Sequence, residues 1–382
     1  MRVGMITRTI PPFDRGGIQT HVAELSKALV LEGVEVHLFI VGNAIGLGRP
    51  VYPNSPVTDT TINGIQIHPI PTLILPCLTI AEYISFSLNC AKKIKKVELD
   101  LVHGQTMYSF GYARHKHLPF VLTIQGPQLT ELRTIISSKL TINHLITDTF
   151  SVMMEAYAAK SADAIIVDSF RSKQTVSKEY GVPSGKIKVI NKEGVDCSKF
   201  QVSVCNSNEI LFVGRLHERK RIDKLIHAFA KVKLAVPDAK LKIVGSGELE
   251  KKLRTLVKNL GLWDDIQLTG FVPDTELPSH YANASVFVLP SAYEGFGIVL
   301  LEAMASGLPI VSVKTGVAET VIRHGWNGYL VDYETMADAI IKLLTDKPLC
   351  QKMGVRGRAI VKQRYTWGKI AHDMIKVYEE VM

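Results

Sequence analysis

The sequence predicts a two-domain α/β protein, each domain a doubly wound parallel sheet. Three observations predict it. At 382 residues the chain is longer than one hydrophobic core comfortably organises. Short apolar runs bounded by Gly, Pro or Asp alternate with helical stretches in both halves, the pattern of strands buried on both faces. Glycine-rich turns follow several of these runs, where open α/β sheets bind their ligands.

In the first half the runs at 3–7, 36–41, 99–103, 120–124 and 164–167 read as strands, and 17–32 and 140–160 as helices. In the second half, strands are expected at 209–213, 240–244, 266–269, 286–289, 310–312 and 328–331. The polar, aperiodic stretch 196–208 separates the two blocks. The domains are therefore expected at 1–195 and 196–366. The stretch 367–382 is an amphipathic helix carrying Ile370, Met374, Ile375 and Tyr378 on one stripe.

Composition narrows the function classes. With 46% hydrophobic and 21% charged residues, this is an ordinary globular chain. No run reaches the ~18 apolar residues of a spanning helix. The start, Met1-Arg2-Val3-Gly4-Met5-Ile6, enters a strand pattern without the features of a signal peptide, so a cytoplasmic location is expected. Five scattered cysteines without a Cys-x-x-Cys pair fit reduced thiols and argue against a cysteine-ligated zinc site. The net charge of +9 is spread over both halves. It suits anionic ligands, but no nucleic-acid partner is expected. Lys92, Lys93, Lys95 and Lys96 form one local cluster. A solvated helix end is the plainer explanation. The alternative is peripheral contact with the inner face of an anionic membrane.

The richest stretch is 290–303, with Glu294 before the glycine turn Gly295-Phe296-Gly297 and Glu302 inside the apolar run that follows. A strand end, a glycine turn and a helix N-terminus suit a sugar bearing a diphosphate, because unpaired N–H groups and the helix dipole attract phosphate. Carboxylates accept from sugar or ribose hydroxyls. Two carboxylates could also act as the acid and base of a glycosidase, or be solvated charges. An unpartnered Glu302 among Leu300, Leu301 and Ala303 would be costly, which favours a hydroxyl-rich ligand.

Gly214 and Arg215 follow a strand, with Lys220 close behind. Two cations here can neutralise a leaving diphosphate without a metal ion, or they can belong to a solvated basic loop. Gly16 and Gly17 open the first helix, where the backbone can approach a phosphate or a plain turn can form. Gly245-Ser246-Gly247 lacks the third glycine of a dinucleotide fingerprint. His103 ends a strand, where a histidine is structural more often than catalytic.

Together these pieces resemble glycosyltransferase family 4, the retaining enzymes of the GT-B fold. The ordered set is Phe212-Val213-Gly214-Arg215-Leu216 with Lys220, Ile243-Val244-Gly245-Ser246-Gly247, Thr269-Gly270-Phe271-Val272, the stretch 290–305, and Gly307-Leu308-Pro309-Ile310-Val311. Gly16-Gly17-Ile18 with His21, residues 162–169, and Gly194-Val195-Asp196 also match. The resemblance implies two Rossmann-like domains facing across a cleft, with the helix from Trp367 crossing back to the first domain. It implies that Arg215 and Lys220 bind the donor diphosphate and stabilise its developing charge. Glu294 would contact the transferred sugar and Glu302 the ribose, with Phe296, Gly297 and Ile298 near the phosphates. Gly16, Gly17 and Gly214 would lie against the donor, and Val272 against its base. No cofactor and no metal are implied, in keeping with the lack of an Asp-x-Asp motif.

Some positions depart from the family pattern. Gln125 stands where family members commonly carry a histidine, and Gln105 where they often carry a second. Glutamine hydrogen-bonds but does not titrate. Gln125 and His103 are the candidates for sugar or acceptor contacts. Asn191-Lys192-Glu193-Gly194 and Thr315-Gly316 also differ from the usual Pro-Asn-Gly and Gly-Gly. The expected activity is retaining, metal-independent transfer from a nucleoside-diphosphate sugar to an unidentified glycan, lipid-linked or small-molecule acceptor. The alternatives are a non-catalytic nucleotide-sugar binder, suggested by Gln125, and a sugar-nucleotide epimerase.

Overall fold

A computed structural model describes the chain except residues 15, 16, 46–50, 53, 54, 76–78, 126–141, 191, 192, 204, 293, 295, 296, 316 and 317, and the side chains of 142–146. The chain forms two compact units. One comprises Met1–Lys192 with Trp367–Met382, the other Glu193–Thr366. The change of unit falls at 192/193 and not at 195/196. Val195 is buried in the second unit's core, and its N–H donates to the Tyr365 carbonyl at 2.8 Å.

In the first unit, strands β1 (Arg2–Ile6), β2 (Glu35–Ala44), β3 (Thr60–Ile62), β4 (Ile65–Thr72), β5 (Leu101–Gln105), β6 (Phe120–Thr123), β7 (Ala164–Val167) and β8 (Ile187–Val189) make one sheet. Its order is β3-β4-β2-β1-β5-β6-β7-β8. All neighbours are parallel except β3 and β4, a hairpin whose turn is Asn63-Gly64 with both φ positive.

Alternation along the strands sends successive residues to two separate cores. Val36, Leu38 and Ile40 of β2, Leu101 of β5 and Val121 of β6 enter one core, with the helices Gly17–Leu31 and Trp367–Val381. Phe39, Val41, Val102, Phe120 and Leu122 enter the other, under the helices Thr79–Ile94, Ile142–Ser161 and Phe170–Tyr180. The helix Trp367–Val381 buries Ile370, Met374 and Tyr378, so it completes the first unit.

The lysine cluster sits at a solvated helix end. Lys92, Lys95 and Lys96 are exposed, and Lys93 pairs with Asp59 at 2.8 Å. Among the described residues, no helix is long and apolar enough to cross a membrane.

The second unit is a six-stranded, wholly parallel sheet. Its strands are β9 (Glu209–Val213), β10 (Lys240–Val244), β11 (Ile266–Gly270), β12 (Val286–Leu289), β13 (Ile310–Val313) and β14 (Gly328–Val331). Their order is β11-β10-β9-β12-β13-β14. The four adjacent strands β11, β10, β9 and β12 carry the motif-bearing loops at their C-terminal ends.

Candidate functional site

The loops after β9, β10 and β11 interlock through backbone. The Gly214 N–H donates to the Val244 carbonyl at 2.9 Å, and the Gly245 N–H to the Gly270 carbonyl at 2.9 Å. Gly245 has φ +133°, and a Cβ there would collide with the Gly214 carbonyl oxygen. Glycine is required at this position by packing and conformation together.

The loops after β9 and β12 are joined by side chains. Lys220 ends the short 3₁₀ turn Glu218–Lys220, and its ammonium forms an ion pair with Glu294. Both residues are buried, at 7% and 8% exposure. At that burial each charge depends on the other for compensation. Ser291 donates to Glu294 Oε1 at 2.8 Å, and the Ala292 N–H donates to the Arg219 carbonyl at 2.9 Å. Arg219 also brings its guanidinium to 3.7 Å from Glu294 Oε2.

Just beyond Glu294, Gly297 adopts the left-handed conformation (φ 69°) and precedes the helix Ile298–Ala305. Among the described residues, no side chain caps that N-terminus. Its leading N–H groups and dipole are therefore available to an anion.

Glu302 lies on the same helix and is half-buried. Tyr281 donates to its Oε2 at 2.7 Å. Desolvation pushes the Glu302 carboxyl up to about 7, opposed by the Tyr281 hydrogen bond and assisted by the charge of Asp274. Asp274 follows Val272 in the loop after β11, and Val272 is half-buried against the core. The loop after β11 and the helix bearing Glu302 thus border the same place.

Lys220, Glu294, Gly214, Gly297, Ile298, Val272 and Glu302 therefore occur together at one end of the second unit's sheet. Gly16 and Phe296 lie outside the described residues. Gly17 opens the helix Gly17–Leu31, and a Cβ there would meet nothing within 4 Å. Packing alone does not demand a glycine at that position. Arg215 is exposed and forms no ion pair with any described residue. The structure brings Arg219, and not Arg215, to Glu294. Ser291, Arg219 and Tyr281 were not among the sequence candidates. The only signal for Ser291 and Arg219 was their place in the same loops, and Tyr281 carried none.

His103 requires a correction. It is fully buried, with Nδ1 at 2.7 Å from the Tyr378 hydroxyl and Nε2 at 2.7 Å from Thr123 Oγ1. Burial pulls its pKa down to about 3. Both nitrogens are used inside the first unit, so His103 is structural and contacts neither sugar nor acceptor. Gln125 is half-buried and donates to Gln105 Oε1 at 3.3 Å.

Comparison with known proteins bears on the family and the fold. Residues 198–360 match the family model described as Glycosyl transferases group 1, and residues 15–199 match Glycosyltransferase Family 4. An uncharacterized glycosyltransferase of Methanocaldococcus jannaschii is 29% identical, over 100% of this chain and 99% of its own length. Sucrose-phosphate synthase of Thermosynechococcus elongatus superposes with a TM-score of 0.78 at 22% identity, covering 99% of this chain and 98% of that one. HepE of Anabaena, solved in complex with UDP, superposes with a TM-score of 0.74 at 19% identity over 100% of both chains. Two parallel-sheet α/β units, the loops that crowd one sheet end and these matches lead to one conclusion: the chain belongs to glycosyltransferase family 4 and is a glycosyltransferase of the GT-B fold.

Proposed function

We propose that the protein is a retaining, metal-independent glycosyltransferase that uses a nucleoside-diphosphate sugar as donor. The observation that carries this reading is the buried Lys220–Glu294 pair, steadied by Ser291 and adjoining the N-terminus of the helix Ile298–Ala305. UDP bound to the structurally similar HepE supports a nucleotide donor.

In this reading the donor's diphosphate takes up the charge of Lys220 and of Arg215, which pairs with no described residue, and the helix N-terminus adds N–H donors. Released from part of its ion pair, Glu294 accepts from hydroxyls of the transferred sugar. Glu302 accepts from the ribose, and Val272 lies against the base. The permanent cations stabilise the leaving group in place of a metal ion. The C1–O bond to phosphate breaks as the bond from C1 to the acceptor oxygen forms on the same face. The acceptor's proton passes to a departing phosphate oxygen. No side-chain base is required, in keeping with a non-titrating Gln125 and a His103 whose nitrogens are both engaged. The acceptor is a hydroxyl of a glycan, a lipid-linked sugar or a small molecule.

The test is incubation with UDP-, GDP- and ADP-sugars and a panel of acceptors, with and without EDTA, with anomeric configuration read by NMR. Transfer with retained configuration and no EDTA effect is expected. Inverted product, or activity lost to EDTA and restored by a divalent metal, would refute the mechanism.

A further inference from the structure

We infer that Tyr281 is a positioning residue that sets discrimination at the donor's ribose, by holding one oxygen of Glu302 so that the other is presented to the ribose hydroxyls. This rests on the donor reading above. Tyr281 lies in the helix Leu277–Asn283 and is fully buried. Its ring stands edge-on to Phe200, with centroids 5.8 Å apart, and tilted against Phe287, also at 5.8 Å. A phenol packed between two aromatic rings cannot follow a rotating carboxylate.

Its hydroxyl donates to Glu302 Oε2 at 2.7 Å, the only hydrogen bond to that carboxylate among the described residues. Oε1 therefore keeps its full acceptor capacity on a side chain that retains partial exposure. A vicinal diol offers two donors and needs an acceptor in a fixed orientation. A carboxylate free to turn would offer that orientation only part of the time. The Tyr281 hydroxyl supplies the restraint without itself reaching the ligand.

The experiment measures binding of UDP, GDP and ADP and their 2′-deoxy counterparts by calorimetry, for wild type, Tyr281→Phe and Glu302→Gln. Wild type should favour the ribonucleotide over its deoxy form by roughly tenfold, the scale of one charge-assisted hydrogen bond. Tyr281→Phe should bring that ratio close to one and leave deoxynucleotide affinity unchanged, which also serves as the control for folding. A wild-type ratio in Tyr281→Phe overturns the inference. So does an equal weakening of both nucleotides, which marks Tyr281 as purely structural. If Glu302→Gln keeps the wild-type ratio, or if no nucleotide binds to wild type, the donor reading fails first.

Discussion

The Tyr378 hydroxyl and His103 Nδ1 share a 2.7 Å hydrogen bond across 275 residues of sequence, with His103 Nε2 at 2.7 Å from Thr123. Strand alternation explains the meeting. His103 is in phase with Leu101, and Thr123 with Val121, so both face the core that the helix Trp367–Val381 covers. Replacing Tyr378 with Phe leaves a buried ring nitrogen without its partner. We expect a loss of about 1–3 kcal/mol in urea unfolding of the first unit, with no change in nucleotide binding by the second.

The same histidine makes a pH prediction. Its pKa is about 3 in the folded protein, below the ordinary value of 6.5. In the unfolded chain it takes up a proton as pH falls below ~6.5, and in the native state only near pH 3. Its contribution to stability is therefore complete above pH ~6.5 and declines through that window. His103→Gln, which can still bond to Tyr378 and Thr123, should show a shallower fall in unfolding free energy between pH 6.5 and 4 than wild type. Parallel pH curves for the two proteins would contradict this.

Lys220→Ala should reduce turnover about 100-fold, corresponding to ~3 kcal/mol of lost leaving-group stabilisation. Gln125→Ala should cost far less, because Gln125 bonds to Gln105 and belongs to neither the Lys220–Glu294 pair nor the helix N-terminus. Removing Lys220 also leaves the buried Glu294 charge with Arg219 as its one remaining cationic partner among the described residues, so turnover should be compared at equal folded fraction.

Glu302 is raised to about 7 by burial, and ribose hydroxyls bind best to its ionised form. Binding of a nucleotide sugar should therefore strengthen as pH rises through neutrality, with release of up to about one proton per site. A nucleotide sugar is the suitable ligand, since it has no terminal phosphate to titrate in that range. Calorimetry in buffers of different ionisation enthalpy counts the protons, and Glu302→Gln should bring the count to zero.

Gly245→Ala places a Cβ against the Gly214 carbonyl at φ +133°. The loops after β9 and β10 must separate to admit it, at a cost of about 1–3 kcal/mol or more. Thermal unfolding of the second unit should shift downwards and donor affinity should fall with it. Gly17→Ala, where the added Cβ meets nothing within 4 Å, should leave the melting temperature unchanged.

The second unit was the more legible in the sequence. Strands such as Val286–Leu289 are buried on both faces and read as unbroken apolar runs, here between Ser285 and Pro290. The β3–β4 hairpin went unread although Asn63-Gly64 is a strong turn signal, because the exposed strand Thr60–Ile62 has no apolar face to alternate. The helix Thr79–Ile94 is absent from the expected elements because Pro69, Pro71 and Pro76 interrupt the apolar pattern just before it. At the site, Lys220, Glu294 and Glu302 were legible from motif spacing. Their partners were not. Lys220 and Glu294 are 74 residues apart and meet only because β9 and β12 are neighbours in the sheet. The choice between Arg215 and Arg219 depends on a 3₁₀ turn that local sequence does not announce.

The first unit is assembled from two separated stretches of chain, whereas the second is one unbroken stretch. During synthesis, the second unit has all of its strands once residue 331 has left the ribosome tunnel. At that moment the first unit's sheet still lacks the helix that packs against β6 and brings Tyr378 to His103 of β5. The nascent protein thus presents an uncovered apolar face until Tyr378 has also left the tunnel, and exposed apolar surface of this kind is prone to aggregation.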